Sequence, residues 1–244
     1  MCIRDSYDVD EHCFVRSQTC IGAKGTAIAC GPGQPAKFEH TRDAHGRITS
    51  TRNFAEDGRP TTDVGYHVHE MRYVHDAAGN VTETGCYDEQ GSAVECSATG
   101  FHGKRATYDD AGRVLAETFI DTKGAAAANM GVPQRRFRYD NYDHLYEARN
   151  LDADGNLLDS AGAAIKHNLY DATHRLFAIQ LLDAAGQPAK FSACYTGATC
   201  PGTPWHAVRI NRRASGAVQS NQFFDADGQL LATIDCRAKP CFED

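Results

Sequence analysis

The stretch Tyr108-Asp109-Asp110-Ala111-Gly112-Arg113-Val114-Leu115-Ala116-Glu117-Thr118-Phe119-Ile120-Asp121-Thr122-Lys123-Gly124 holds two acidic turns, Asp109-x-x-Gly112 and Asp121-x-x-Gly124. Aspartate at the head of such a turn accepts main-chain N–H bonds, and glycine at its end takes a positive φ. The segment between them is too short for an ordinary helix and rich in Val, Thr, Phe and Ile, so it reads as a strand.

The same spacing recurs along the chain. The first turn closes at Gly46, Gly79, Gly112, Asp143, His174 and Gly216, and twelve residues later stand Gly58, Gly91, Gly124, Gly155, Gly186 and Gly228. Glycine is about 7% of average usage, so six matches in six do not arise by chance. Successive first turns lie 33, 33, 31, 31 and 42 residues apart, the last interval holding an insertion near 194–202. Two residues after the first turn stand Ile48, Val81, Val114, Leu145, Leu176 and Val218, and eight after it Phe54, Tyr87, Ile120, Leu151, Leu182 and Phe224. Both offsets share a parity and predict one half-buried strand face. A third glycine (Gly100, Gly131, Gly162) implies a shorter, irregular third strand. The predicted fold is all-β: tandem antiparallel β-hairpin repeats forming a continuous curled or spiralling sheet, a β-solenoid-like array. One hairpin cannot bury its own apolar face, so neighbours must stack.

Six tandem repeats cover residues 39–241, and a degenerate first repeat covers 7–38, with Tyr7-Asp8 as its first turn and Gly25 as its second. Residues 1–6 (Met1-Cys2-Ile3-Arg4-Asp5-Ser6) have no apolar signal-peptide region and resemble a translated sequencing adapter, so they are expected to be an artefactual or disordered leader. The chain then reads as a fragment. No Pro/Ser-rich linker interrupts the period, which favours one array over two compact domains.

The 244 residues are 41% hydrophobic and 23% charged, enough apolar content for a packed core. The formal net charge of −7 argues against nucleic acid as a partner. No run reaches the roughly 20 apolar residues of a membrane-spanning helix.

Tyr108-Asp109-Asp110-Ala111-Gly112-Arg113-Val114 resembles the YD repeat of the bacterial RHS family, as do Asp76-Ala77-Ala78-Gly79-Asn80-Val81, Tyr139-Asp140 and Tyr170-Asp171. The resemblance implies a β-rich shell or spiral of a secreted toxin or cell-surface protein, without catalytic residues in the repeats. The unit here is longer than the usual YD repeat, and a related hairpin-repeat family fits equally.

Cysteine adds a compartment. Cys20 and Cys30 lie five residues either side of Gly25, and Cys86 and Cys96 five either side of Gly91. Cys194 and Cys236 each stand eight residues after a second-turn glycine, with Cys200 and Cys241 shortly after them. The expected disulfides are Cys20–Cys30, Cys86–Cys96, Cys194–Cys200 and Cys236–Cys241, although spacing alone does not fix connectivity. Reduced, buried thiols are the alternative, and zinc is disfavoured because no Cys-x-x-Cys occurs. Disulfides place the protein outside the cell, at its surface or in the periplasm.

No catalytic constellation emerges: Gly-x-Ser-x-Gly and the phosphate-cradling loop are absent. His67, His69 and His75 suggest a metal site only weakly, and Asp152-Ala153-Asp154-Gly155 and Asp225-Ala226-Asp227-Gly228 read as turns, not calcium loops. No cofactor, metal or enzymatic activity is expected. Tyr66, Phe101, Tyr195 and Trp205 fall in the connectors, where they either stack on sugars or close the seam between modules. Arg135-Arg136-x-Arg138 and Arg209-x-x-Arg212-Arg213 read as solvated strand faces. The expected function is a non-catalytic scaffold or protein-interaction module of a secreted or surface-exposed bacterial protein. The alternatives are a carbohydrate- or cell-wall-binding array, with Tyr66, Phe101 and Trp205 as platforms, and a shell segment of an RHS-like toxin.

Overall fold

A chain that must reverse direction twice in every module needs left-handed residues at fixed intervals. The computed structural model describes residues 4–63, 65–96, 100–160, 162–190 and 204–236. In it both turns of every module close at positive φ, from Gly46 at 79° and Gly58 at 80° to Gly216 at 87° and Gly228 at 78°. Asp143 (67°) and His174 (64°) take the same conformation where glycine is missing. Asp and His tolerate it better than most residues do.

Cα packing divides the chain into two units, Met1–Pro133 and Gln134–Asp244. The first unit carries β1 (Arg4–Val9), β2 (Val15–Ile21), β3 (Lys37–Arg42), β4 (Ile48–Phe54), β5 (Glu70–His75), β6 (Val81–Tyr87), β7 (Gly103–Tyr108) and β8 (Val114–Ile120). The second carries β9 (Gln134–Tyr139), β10 (Leu145–Leu151), β11 (Ile165–Tyr170), β12 (Leu176–Leu182), β13 (Ala207–Arg212), β14 (Val218–Phe224) and β15 (Leu230–Asp235). Within each unit, neighbours in sequence pair antiparallel. The architecture is all-β, tandem hairpins, with no helix among the described residues.

Each hairpin is built the same way. Asp43 Oδ1 accepts the N–H groups of His45 and Arg47 at 2.9 and 3.0 Å, and Asp109 Oδ1 those of Ala111 and Arg113 at 3.0 and 2.9 Å. The register slips by one residue just before the turn, at Thr41/Arg42 and Thr107/Tyr108 among others, so every hairpin carries a bulge there. At Tyr108, Tyr170 and Arg42 the residue ahead of the aspartate ties consecutive hairpins together. Tyr108 donates its hydroxyl to the Val81 carbonyl at 2.7 Å, and Tyr170 to that of Leu145 at 3.1 Å. Arg42 occupies the same position and donates to the Val15 carbonyl.

Two expectations need correction. Arg4, Asp5 and Ser6 are not disordered: they pair with Ile21, Cys20 and Thr19 in β1. Tyr7-Asp8 is not a turn but the middle of β1. The first turn of that module is Asp10-Glu11-His12-Cys13, where Asp10 Oδ1 accepts the His12 and Phe14 N–H groups and Cys13 has φ 65°. Cys13 also precedes Gly25 by twelve residues, completing a seventh copy of the interval.

The predicted face is half-buried: Phe54, Tyr87, Leu182 and Phe224 are partly covered, and Ile120 and Leu151 are buried. In six modules the residue five before the second-turn glycine, on the face opposite to Phe54 and its equivalents, is buried too: Cys20, Asn53, Cys86, Phe119, Leu181 and Phe223, while Asn150 is half-buried. The reason is the connector that follows each hairpin. Its last residues lie against that position in the next module, Val68 in a cluster with Cys86 and Cys96, and Trp205 with Leu181 and Phe223. The main chain seals the same join, with the N–H groups of Cys20, Asn53 and Cys86 donating to the carbonyls of Ala36, His69 and His102. At the β6–β7 pairing Gly85 stands opposite Gly103, and a Cβ on Gly103 would collide with the Thr84 carbonyl oxygen.

Cys20–Cys30 and Cys86–Cys96 are disulfides, with Cα atoms 5.3 and 5.4 Å apart, each bridging the two arms around a second turn. Cys236 is also disulfide-bonded. Its expected partner Cys241 lies outside the described residues, as do Cys194, Cys200, Tyr195 and the insertion near 194–202. Cys13 is an exposed free thiol.

Candidate interaction surface

Alternation along a strand gives each sheet two faces, and one of them carries rows of paired Glu and Arg side chains that the second turns flank, Arg105 donating to the Gly124 carbonyl and Gln134 to that of Ala153. In the first unit its charges alternate in sign across the strands. Glu39 on β3 stands opposite Arg52 on β4, which stands opposite Glu70 on β5. Glu70 holds Arg52 at 3.2 Å and Arg72 at 2.7 Å, and Arg105 holds Glu83 at 2.8 Å. The Arg72 guanidinium also lies over the Tyr87 ring, 3.8 Å from its centre. Burial opposes the charge on Glu70, but hydrogen bonds from Arg72, Ser50 and Arg52 outweigh it and hold the carboxyl below its ordinary range.

The second unit breaks this alternation. Arg138, Glu147 and His167 form one row across β9, β10 and β11, and Arg136 stands directly opposite Arg149 in the next. Glu147 is 7% exposed in its side chain and holds Arg149 at 2.8 Å, His167 at 3.2 Å and Arg138 at 3.6 Å. Its carboxyl is again held low, burial opposing and the hydrogen bonds from Arg149 and His167 prevailing.

The sequence-predicted sites fare differently. Trp205 is 1% exposed, edge-on to Phe223 with ring centres 5.3 Å apart. It is core and offers no platform to a sugar. Phe101 is half-buried against Phe119, ring centres 5.1 Å apart, and packs on the Cys86–Cys96 cluster. Tyr66 alone of the three is exposed, at 45%. The carbohydrate reading thus loses two of its three rings, because connector aromatics close the join between modules. His69 is buried edge-on against Phe54, whereas His67 is exposed. Among the described residues no group of three or more His, Cys, Asp or Glu is placed to hold a metal ion. Asp152 Oδ1 accepts the N–H groups of Asp154 and Asn156, and Asp225 Oδ1 those of Asp227 and Gln229, so both carboxylates build turns.

In the sequence Arg135, Arg136 and Arg138 form one basic cluster. The alternation separates them: Arg136 and Arg138 share the charged face, and Arg135 lies on the other. Glu147, Arg149 and His167 were not singled out, since only the strand register brings them beside Arg138. Arg209 lies over Phe224, 5.7 Å from its ring centre, beside a shallow cleft of about 630 Å³ that Phe177 and Gln180 also line.

No protein-family profile matches the chain, and no curated protein matches it. Among solved structures it is similar to the crystal structure of TcdB2-TccC3-TEV, at 11% identity and a TM-score of 0.32, over 96% of this chain and 13% of that one. It is also similar to a chain of the Photorhabdus luminescens Tc holotoxin pore, at 13% identity and a TM-score of 0.28, over 95% of this chain and 13% of that one. The crystal structure of TcdB2-TccC3 gives 13% identity and a TM-score of 0.26, over 96% of this chain and 14% of that one. The chain therefore spans about one-eighth of the length of the structures it matches.

Proposed function

We propose that this chain is a non-catalytic repeat scaffold of a secreted or surface-exposed bacterial protein, with its charged strand face as a protein-interaction surface. The observation that carries the reading is the use made of its acidic residues. Turn after turn, the aspartate Oδ1 is occupied by two main-chain N–H groups, as at Asp43, Asp109, Asp121, Asp140 and Asp183. Side chains able to do acid–base chemistry are thereby committed to shape. The disulfides support an oxidising compartment. The Tyr108 and Tyr170 hydroxyl bonds favour one finer reading, a shell segment of an RHS-like protein, because they give the Tyr-Asp dipeptide the role of joining hairpins.

Removing one whole module tests the scaffold. Deleting residues 76–108 takes out one period of 33 and joins equivalent positions. In a repeat scaffold each module leans only on its neighbours. The shortened protein is expected to keep its β-sheet circular dichroism per residue and a cooperative melt. Collapse to an unfolded chain, or a turnover number for any hydrolase or transferase substrate in the intact protein, overturns the reading.

A further inference from the structure

Like charges set directly opposite each other on a sheet are destabilising, and opposite charges are favourable. The first unit obeys that rule and the second departs from it at Arg136 and Arg149. Three guanidinium groups, Arg136, Arg138 and Arg149, share one face with a single carboxylate, Glu147, which His167 also engages. Arg136 has no ion-pair partner among the described residues, and Arg138 is 60% exposed in its side chain. The Glu147 side chain is 7% exposed and that of Arg149 35%, so the charge this row offers to solvent is guanidinium.

We propose that this patch binds an acidic peptide segment of a partner protein, with carboxylates two residues apart. The inference rests on the interaction-scaffold reading and adds the partner's chemistry. Same-face side chains of an extended peptide repeat at about 6.8 Å, which is the spacing of Arg136 and Arg138 along β9. Arg149 lies one strand away, about 4.8 Å across the sheet, so it shares the first carboxylate with Arg136. The planar guanidinium fork binds carboxylates through two parallel hydrogen bonds, which a scattered ammonium patch does not.

The test is calorimetric titration of the full chain with acetyl-Glu-Ala-Glu-Ala-Glu-amide at low ionic strength, against the glutamine version of the peptide, inorganic phosphate and heparin. The glutamate peptide is expected to bind and the glutamine peptide not to. Arg136→Gln and Arg149→Gln are each expected to weaken binding about tenfold. Arg105→Gln, which lies on β7 and outside the β9–β10 patch, is expected to leave it unchanged. Without any ligand, Arg136→Gln is expected to raise Tm by about 1–3 °C by relieving the facing charges. Equal binding of both peptides, or wild-type affinity in Arg136→Gln and Arg149→Gln, overturns the proposal. Phosphate or heparin binding as well as the peptide through these arginines replaces it with a general anion site. A fall in Tm of Arg136→Gln makes the residue structural and also overturns it. None of these outcomes bears on the scaffold reading, which the module deletion decides.

Discussion

Met130 takes φ 52° while the residue is 87% exposed, so it bears left-handed strain and gains little packing. Met130→Gly is therefore expected to stabilise the protein by about 0.5–1 kcal/mol, the relief of strain outweighing the added freedom of the unfolded chain. Denaturant titration checks it. Tyr108→Phe loses one hydroxyl bond to Val81 and is expected to cost about 1 kcal/mol by the same measurement. These positions also show where residue identity stops being informative. Gly46 and Gly58 announce left-handed turns, but Cys13 does the same work with a side chain that carries no turn signal. The legible clue there was Asp10, three residues ahead of it. Trp205 was ambiguous for a different reason: a large aromatic in a connector suits a binding platform and an inter-module plug equally, and only its packing against Phe223 separates the two.

Hairpin by hairpin, the join beneath the second turn is filled in different ways. Cysteine pairs fill it at Cys20–Cys30 and Cys86–Cys96, a phenylalanine at Phe119, a leucine at Leu181 and a tryptophan-backed phenylalanine at Phe223. Replacing both Cys86 and Cys96 by serine is expected to cost about 2–3 kcal/mol, with hydrogen exchange rising in β5 to β7 and little in β12 to β14. Asn150 and Ser160 occupy the same offsets around Gly155, and Leu158 N–H bonds to the Asn150 carbonyl as Val94 N–H does to that of Cys86. Asn150→Cys with Ser160→Cys is expected to form a third such bridge, seen as loss of free thiol on non-reducing mass spectrometry. The period, the turns and these cysteine pairs were legible because each is local, fixed by chemistry within a dozen residues. The charged patch was not, because Arg136 meets Arg149 only through a register that depends on the bulge before each turn.

Taken together, the turn aspartates make the whole fold sensitive to acid. Asp109, Asp121, Asp152 and Asp171 are held below their ordinary 3.8 chiefly by hydrogen bonds within their own turns. At Asp43 desolvation opposes the charge, but the bonds from Arg47 and His45 prevail and bring it to about 2. A carboxyl depressed in the folded state stabilises it above the unfolded value and loses that stability as pH falls through the folded one. Burial lowers His40 and His206 from 6.5, so these disfavour the fold as soon as pH drops below that value. Tm is thus expected to decline gently below 6.5 and steeply between 3.8 and about 2, a profile that differential scanning calorimetry across pH resolves. The paired cysteines carry a consequence of another kind. Each spans a loop of ten residues at an exposed bend. A protease that nicks the backbone there severs the polypeptide without releasing either piece, and the cut protein migrates as one band until a thiol reagent sets the fragments free.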